Sequence, residues 1–257
     1  MRYPLLTGVL AGLVVAGSAA AEMQTGGALV KSTPPNIAQA IADPARPQAD
    51  RDLDAARKPA EVLTLIGVKP GQTVVDAFGG PYFDRLFAGA VGEKGQVIMF
   101  LPSEMVKAEP GPFPADASRP FPDRQNVVVM IAPTNSFAVK TPADVVFIRQ
   151  NYHDLYDPFM KPADVPTFNK AVFKALKKGG LYVIIDHSAP DGSGLADTNT
   201  THRIDAAAVK KDMTAAGFKF VRESNAYRNP ADTRAKLVFD PSVRGKTDQF
   251  FYVFKKP

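Results

Sequence analysis

The sequence predicts an α/β fold: a doubly wound, mostly parallel sheet with helices on both faces and an antiparallel pair of strands at one edge. Three observations carry this expectation. Apolar runs such as QVIMFL (96–101), NVVVMIA (126–132), ADVVFIR (143–149) and LYVIID (181–186) are continuous rather than alternating, which marks strands covered on both faces. These runs alternate with helix-patterned segments, the order of a parallel sheet with crossover helices. With 19 Gly and 23 Pro in 257 residues, the chain suits a loop-rich α/β fold better than a helical bundle.

The composition narrows the function. Hydrophobic residues make up 45% and charged residues 22%, which excludes disorder and coiled coil as the main state. The absence of cysteine excludes disulfides, thiolate zinc sites, iron–sulfur clusters and a catalytic thiol. The absence of tryptophan removes one stacking platform for bases and sugars. The net charge is +5, but Lys and Arg are scattered among acids, so no nucleic-acid partner is expected.

The elements follow in order. Residues 1–21 carry Arg2, an apolar stretch from Leu5 to Gly17, and then Ser18, Ala19, Ala20 and Ala21, the pattern of a cleaved secretory signal peptide. The apolar core is shorter than the ~20 residues of a membrane span and is broken by Gly8 and Gly12. A bacterial periplasmic or secreted protein is expected, with no stable membrane insertion once the signal is removed. Residues 22–49 read as a Pro-rich arm over the domain surface, with a short helix over 36–42 capped by Asn36. The domain proper is 50–257. A helix starts at Pro59 and stops at Gly67; a strand at 73–76, a helix at 82–91 and a strand at 96–101 follow. Strands at 126–132 and 143–149 precede a helix over 166–176, whose Phe168, Val172, Phe173 and Leu176 share a face. A strand at 181–186, a helix at 206–216 and strands at 218–223 and 249–255 complete the chain, the last two pairing antiparallel.

Ligands of such sheets bind at the carboxyl ends of the strands, and polar residues collect there. Asp76, Gly79, Gly80 and Pro81 follow the first strand, Ser103 and Glu104 the second, Asn151, Tyr152, His153 and Asp154 the fourth, and Asp186 and His187 the fifth. Asp76 suits either a cofactor loop or a helix cap. Residues 151–154 bring an amide, a phenol, an imidazole and a carboxylate to one strand end. Arg57, Lys58, Arg244 and Lys246 suit either an anionic ligand group or a solvated surface.

The succession VKPGQTVVDAFGG, RQNYHDLYD and ALKKGGLYVIIDH resembles the class I S-adenosylmethionine-dependent methyltransferases. ADRDLDAARKPAEVL, SGLADTNTTHRIDAAAV and NPADTRAKLVFDPSVRGKTDQF extend the resemblance to an exported branch of predicted methyltransferases, over residues 50–257. The resemblance implies a Rossmann-like seven-stranded sheet whose last strand is antiparallel, S-adenosylmethionine as cofactor, and methyl transfer to a small-molecule acceptor. Asp76 matches the family's acidic position, and Gly79 and Gly80 its glycine turn. Glu104 is the nearest acid to the ribose position, and Asn151 fixes cofactor or acceptor. His153 is the expected general base, with Tyr152, Asp154 and His187 around the acceptor.

Two positions depart from the pattern. Pro81 stands where a further glycine is usual and removes an N–H. Met99, Phe100 and Leu101 end the second strand without an acid. A non-catalytic ligand-binding protein on a degenerate scaffold is therefore a second reading. A third is a metal-dependent enzyme using His153, His187 and His202, each close to an acid in sequence, although no tight ligand spacing such as H-E-x-x-H occurs and no metal site is assigned.

Overall fold

The computed structural model describes residues 32–108 and 124–257. The signal segment 1–21, residues 22–31 of the arm and the segment 109–123 lie outside the described residues. Among the described residues the helices are α1 (Pro35–Ala42), α2 (Gln48–Arg51), α3 (Asp54–Arg57), α4 (Pro59–Ile66), α5 (Pro81–Val91), α6 (Ser103–Ala108), α7 (Val165–Ala175), α8 (Thr198–Thr201) and α9 (Ala206–Ala215). The strands are β1 (Thr73–Ala77), β2 (Gln96–Pro102), β3 (Val127–Ala132), β4 (Ala143–Arg149), β5 (Leu176–His187), β6 (Lys219–Ser224) and β7 (Gln249–Lys255). None of the described helices is long and apolar enough to cross a membrane.

The sheet order is β3-β2-β1-β4-β5-β7-β6. β1 to β5 are parallel, and β7 runs antiparallel between β5 and β6. The antiparallel strand is thus inserted one place from the edge, and β6, with Phe220 and Val221 exposed, forms the edge itself. β5 is longer than its apolar run because its first residue, Leu176, pairs with Ala143 across an irregularity before the regular register begins.

Strand side chains alternate between two cores. Val74, Phe147, Val183 and Val253 face α4 and α5 through Leu63, Phe83 and Phe87. Val75, Val146, Ile184 and Phe254 face α7 and α9 through Phe168, Val172, Val209 and Met213. β1, β2, β4 and β7 and the second half of β5 are therefore covered on both faces, as continuous apolar runs require. The helices begin where local chemistry dictates. The Asp164 side chain accepts from the Thr167 N–H at the start of α7, and the Asp205 side chain accepts from the Ala207 N–H at the start of α9.

The Pro-rich segment carries α1, which buries Ile37 and Ala40 against the first core. Asn36 is not its cap. Pro34 occupies the N-cap position, while the Asn36 Nδ2 donates to the carbonyls of Val68 and Ala90 at 3.0 Å each and ties the segment to the domain.

The order of strands reverses between β1 and β4, and the crevice above that switch point is where the sheet opens to a ligand.

Candidate functional site

At the end of β1 the chain turns sharply. Phe78 takes a left-handed conformation (φ 62°), and its N–H donates to the Phe100 carbonyl at 2.8 Å. Gly79 is packed: a Cβ there would lie 2.9 Å from both the Asp76 carbonyl oxygen and the Met99 Cγ. Gly80 is the opposite case, with nothing within 4 Å of a Cβ, and it is the N-cap of α5. Pro81 occupies the first turn, where its fixed φ fits. One turn further, Asp84 is fully buried, and the Asp76 charge acts on it. Burial, opposed by the Gly80 N–H and Arg149, raises Asp76 to about 8; burial and the Asp76 charge raise Asp84 as well. Burial thus favours the protonated form of both carboxyl groups.

At the end of β4 the chain enters a 3-10 helix, His153–Tyr156. Asp186, wholly buried at the end of β5, accepts from the His153 N–H at 2.9 Å, lies 2.9 Å from the His153 Nδ1, and accepts from the His187 N–H at 2.8 Å. The His153 Nε2 lies 3.2 Å from both the Asp154 Oδ1 and the His202 Nδ1. Asn151 Nδ2 donates to the other Asp154 oxygen at 2.8 Å. Burial opposes charge on His153, but the Asp186 and Asp154 carboxylates outweigh it and raise the imidazole to about 10. Burial likewise opposes ionisation of Asp154, yet hydrogen bonds from His153, His202 and Asn151 hold its carboxyl well below the usual range. His187 is governed by burial and falls to about 3, so its ring is neutral; its Nδ1 lies 2.7 Å from the Thr247 Oγ1.

His202 comes from the segment after β5. The Ile204 N–H donates to the His187 carbonyl and the Ala189 N–H to the Ile204 carbonyl, both at 3.0 Å, so the returning chain lies beside the end of β5. His202, left-handed at φ 53°, is thereby set against His153. The side chains enclose a cavity of about 450 Å³ lined by Arg57, Asp76, Gly80, Arg149, Asn151, His153, Asp154, His187, His202 and Phe239, among others.

No protein-family model and no curated protein matches the chain. Solved structures do. A SAM-dependent methyltransferase from Aquifex aeolicus is 19% identical, with 82% of this chain and 99% of that one covered at a TM-score of 0.51. An S-adenosylmethionine-dependent methyltransferase from Mesorhizobium loti is 16% identical, with 79% and 99% covered at a TM-score of 0.52. The chain has the class I methyltransferase fold.

On this methyltransferase fold, six of the nine candidate side chains line the cavity: Asp76, Gly80, Asn151, His153, Asp154 and His187. Three do not. Gly79 is a packing glycine beneath the loop. Tyr152 faces the other way: it is buried in the α7–α9 core, its hydroxyl donating to Asp212 at 3.0 Å and accepting from the Asn169 Nδ2 at 2.7 Å. Glu104 turns back to accept from the Thr134 N–H at 3.1 Å and from its hydroxyl at 3.2 Å, and Met105 lines the cavity in its place. His153 lines the cavity, but both ring nitrogens are engaged and its proton is held at neutral pH, which does not suit a general base. Arg149 and Asp84 were not singled out in the sequence. Asp84 had a signal, a carboxyl between Phe83 and Leu86 on the inward face of its helix.

Proposed function

We propose that this chain transfers a methyl group from S-adenosylmethionine to a small acceptor bound in the cavity above β1, β4 and β5. The observation that carries the reading is the open space over Gly80, at the N-terminus of α5 and at the topological switch point of the sheet. The residues present fit the cofactor at one end: Arg57 and Arg149 line the same cavity and supply cations for its carboxylate. Glu104, committed to Thr134, leaves the ribose to other groups such as Asn151. When bound, the cofactor supplies an electrophilic methyl group. His187 is the neutral imidazole at the cavity; with a pKa of about 3 it orients an acceptor hydroxyl or amine by a hydrogen bond rather than taking its proton. His153 and Asp186 position Asp154 and the loop after β4. The adjoining groove, lined by Lys58, Arg228, Arg244 and Lys246, favours an acceptor that carries an anionic group.

Calorimetric titration of the purified chain with S-adenosylmethionine tests this. The wild type is expected to bind. Gly80→Val, whose backbone at φ −145° accepts any residue, is expected to bind at least tenfold more weakly, about 1.4 kcal/mol, with an unchanged melting temperature. No heat from the wild type at millimolar cofactor overturns the reading in favour of a non-catalytic binding protein.

We also propose that the chain is exported and that mature protein begins at Glu22. Mass spectrometry of the periplasmic fraction is expected to find that N-terminus; an intact segment 1–21 on the native protein would count against it.

A further inference from the structure

His153 Nε2, Asp154 Oδ1 and His202 Nδ1 form a triangle with edges of 3.2, 3.2 and 3.6 Å. Ligand atoms placed tetrahedrally at zinc bond lengths of about 2.0–2.1 Å are separated by about 3.3–3.4 Å. The triangle therefore has the dimensions of one face of a zinc coordination sphere.

The surroundings suit metal ligands. Asp186 already faces the His153 Nδ1, so a divalent ion that displaces the proton from Nε2 meets that nitrogen, the Asp154 Oδ1 and the His202 Nδ1 together. Asp186 is the outer-sphere carboxylate that fixes tautomer and ring orientation in metal-bound histidines. Asn151 occupies the other oxygen of Asp154 and leaves Oδ1 for the triangle. Asp157, buried at the end of the same turn, is a further acidic residue of this segment. His202 is held in a left-handed conformation that an ordinary side chain adopts only at a cost. His187 is outside the set, because its Nδ1 is committed to Thr247.

We propose that His153, Asp154 and His202 bind one zinc-class divalent ion through two imidazole nitrogens and one carboxylate oxygen. All three side chains line the cavity, so the remaining coordination position opens toward bound ligand or water. This site goes beyond the methyl-transfer reading and is tested without cofactor or acceptor, so the two readings fail separately.

The test uses the full purified chain, stripped with a chelator and titrated with Zn²⁺ by calorimetry and with Co²⁺ by visible absorption. One ion per chain is expected, with the intense d–d bands of four-coordinate cobalt and a rise in melting temperature on zinc addition. His202→Asn keeps a residue that tolerates the left-handed backbone. It is expected to weaken zinc binding by about 100-fold or more, at the upper end of what losing an outer-sphere partner costs, while the metal-free melting temperature stays the same. Asp154→Asn, equal in size, is expected to weaken zinc binding likewise, with some loss of metal-free melting temperature because His153 loses a carboxylate partner, and serves if the first variant fails to fold. Absence of saturable Zn²⁺ and Co²⁺ binding in the wild type overturns the proposal. So does zinc affinity that neither folded variant changes.

Discussion

Arg203→Ala is expected to destabilise the protein by about 3–5 kcal/mol, the usual loss when one member of a buried ion pair is removed. The Arg203 side chain is wholly buried and pairs with Asp232 through two nitrogens, at 2.8 and 3.3 Å. It also donates to the carbonyls of Ser188 and Lys236, at 3.1 and 2.9 Å. One guanidinium therefore joins the end of β5 to the long segment between β6 and β7. Asp232 in turn accepts from the Asp248 and Arg234 N–H groups, at 2.7 and 3.0 Å. Without the arginine, the Asp232 carboxylate stays buried and unpaired, and the segment carrying Val238 and Phe239 loses its anchor beside the cavity. At roughly 2–4 °C per kcal/mol for a chain of this size, the melting temperature falls by roughly 10 °C. Arg203→Lys keeps the charge but not the fork, and is expected to recover only part of the loss. A loss below 1 kcal/mol in Arg203→Ala would show that the segment is held by Arg228 and Arg234 on Asp248 instead.

The fold was legible because strand burial leaves a direct mark on sequence. Val74, Val145, Phe147 and Val183 pack on one core while Val75, Val146, Ile148 and Ile184 pack on the other, so consecutive positions must be apolar. The position of β7 between β5 and β6 leaves no such mark: the sequence predicts the antiparallel pairing of the last two strands but not which of them lies at the edge. The site was legible only as a neighbourhood. Tyr152 and His153 are consecutive, yet the 3-10 turn sends one into the α7–α9 core and the other into the cavity. Glu104 follows β2 as expected, but the Thr134 backbone captured it first. Asp186, in the sequence only one of the polar residues that end the fifth strand, organises both His153 and His187. The encounter of His202 with His153 depends on pairing between residues 187–189 and Ile204, which no local pattern encodes. Arg203 and Asp232 lie in HRID and NPADTRAK, segments whose likeness was plain while their contact was not.

The stability of the protein is expected to fall as pH rises from about 4 to about 8, by up to about 1.4 kcal/mol per unit for each of the raised carboxyl groups Asp76 and Asp84. Burial raises both carboxyl groups above their unfolded value, and the Asp76 charge raises Asp84 further. The folded state therefore binds more protons than the unfolded one in this window. The contribution is present in full below the unfolded value and is lost as pH passes through about 8. Arg149 and the Gly80 N–H on Asp76, and Arg85 on Asp84, act in the opposite direction but do not reverse the shifts. His187 has the opposite slope, because its lowered value gains stability as pH rises from about 3 to 6.5. A comparison with Asp84→Asn cancels that contribution, since His187 is common to both proteins. The amide can donate to Asp76 and does not titrate, so the raised Asp84 group no longer costs stability as pH rises, while burial still raises Asp76. Denaturant unfolding with chelator present, at pH 5, 6.5 and 8, is expected to show Asp84→Asn gaining on the wild type with each step and exceeding it at pH 8. Parallel stability curves for the two proteins would mean that burial does not raise Asp84.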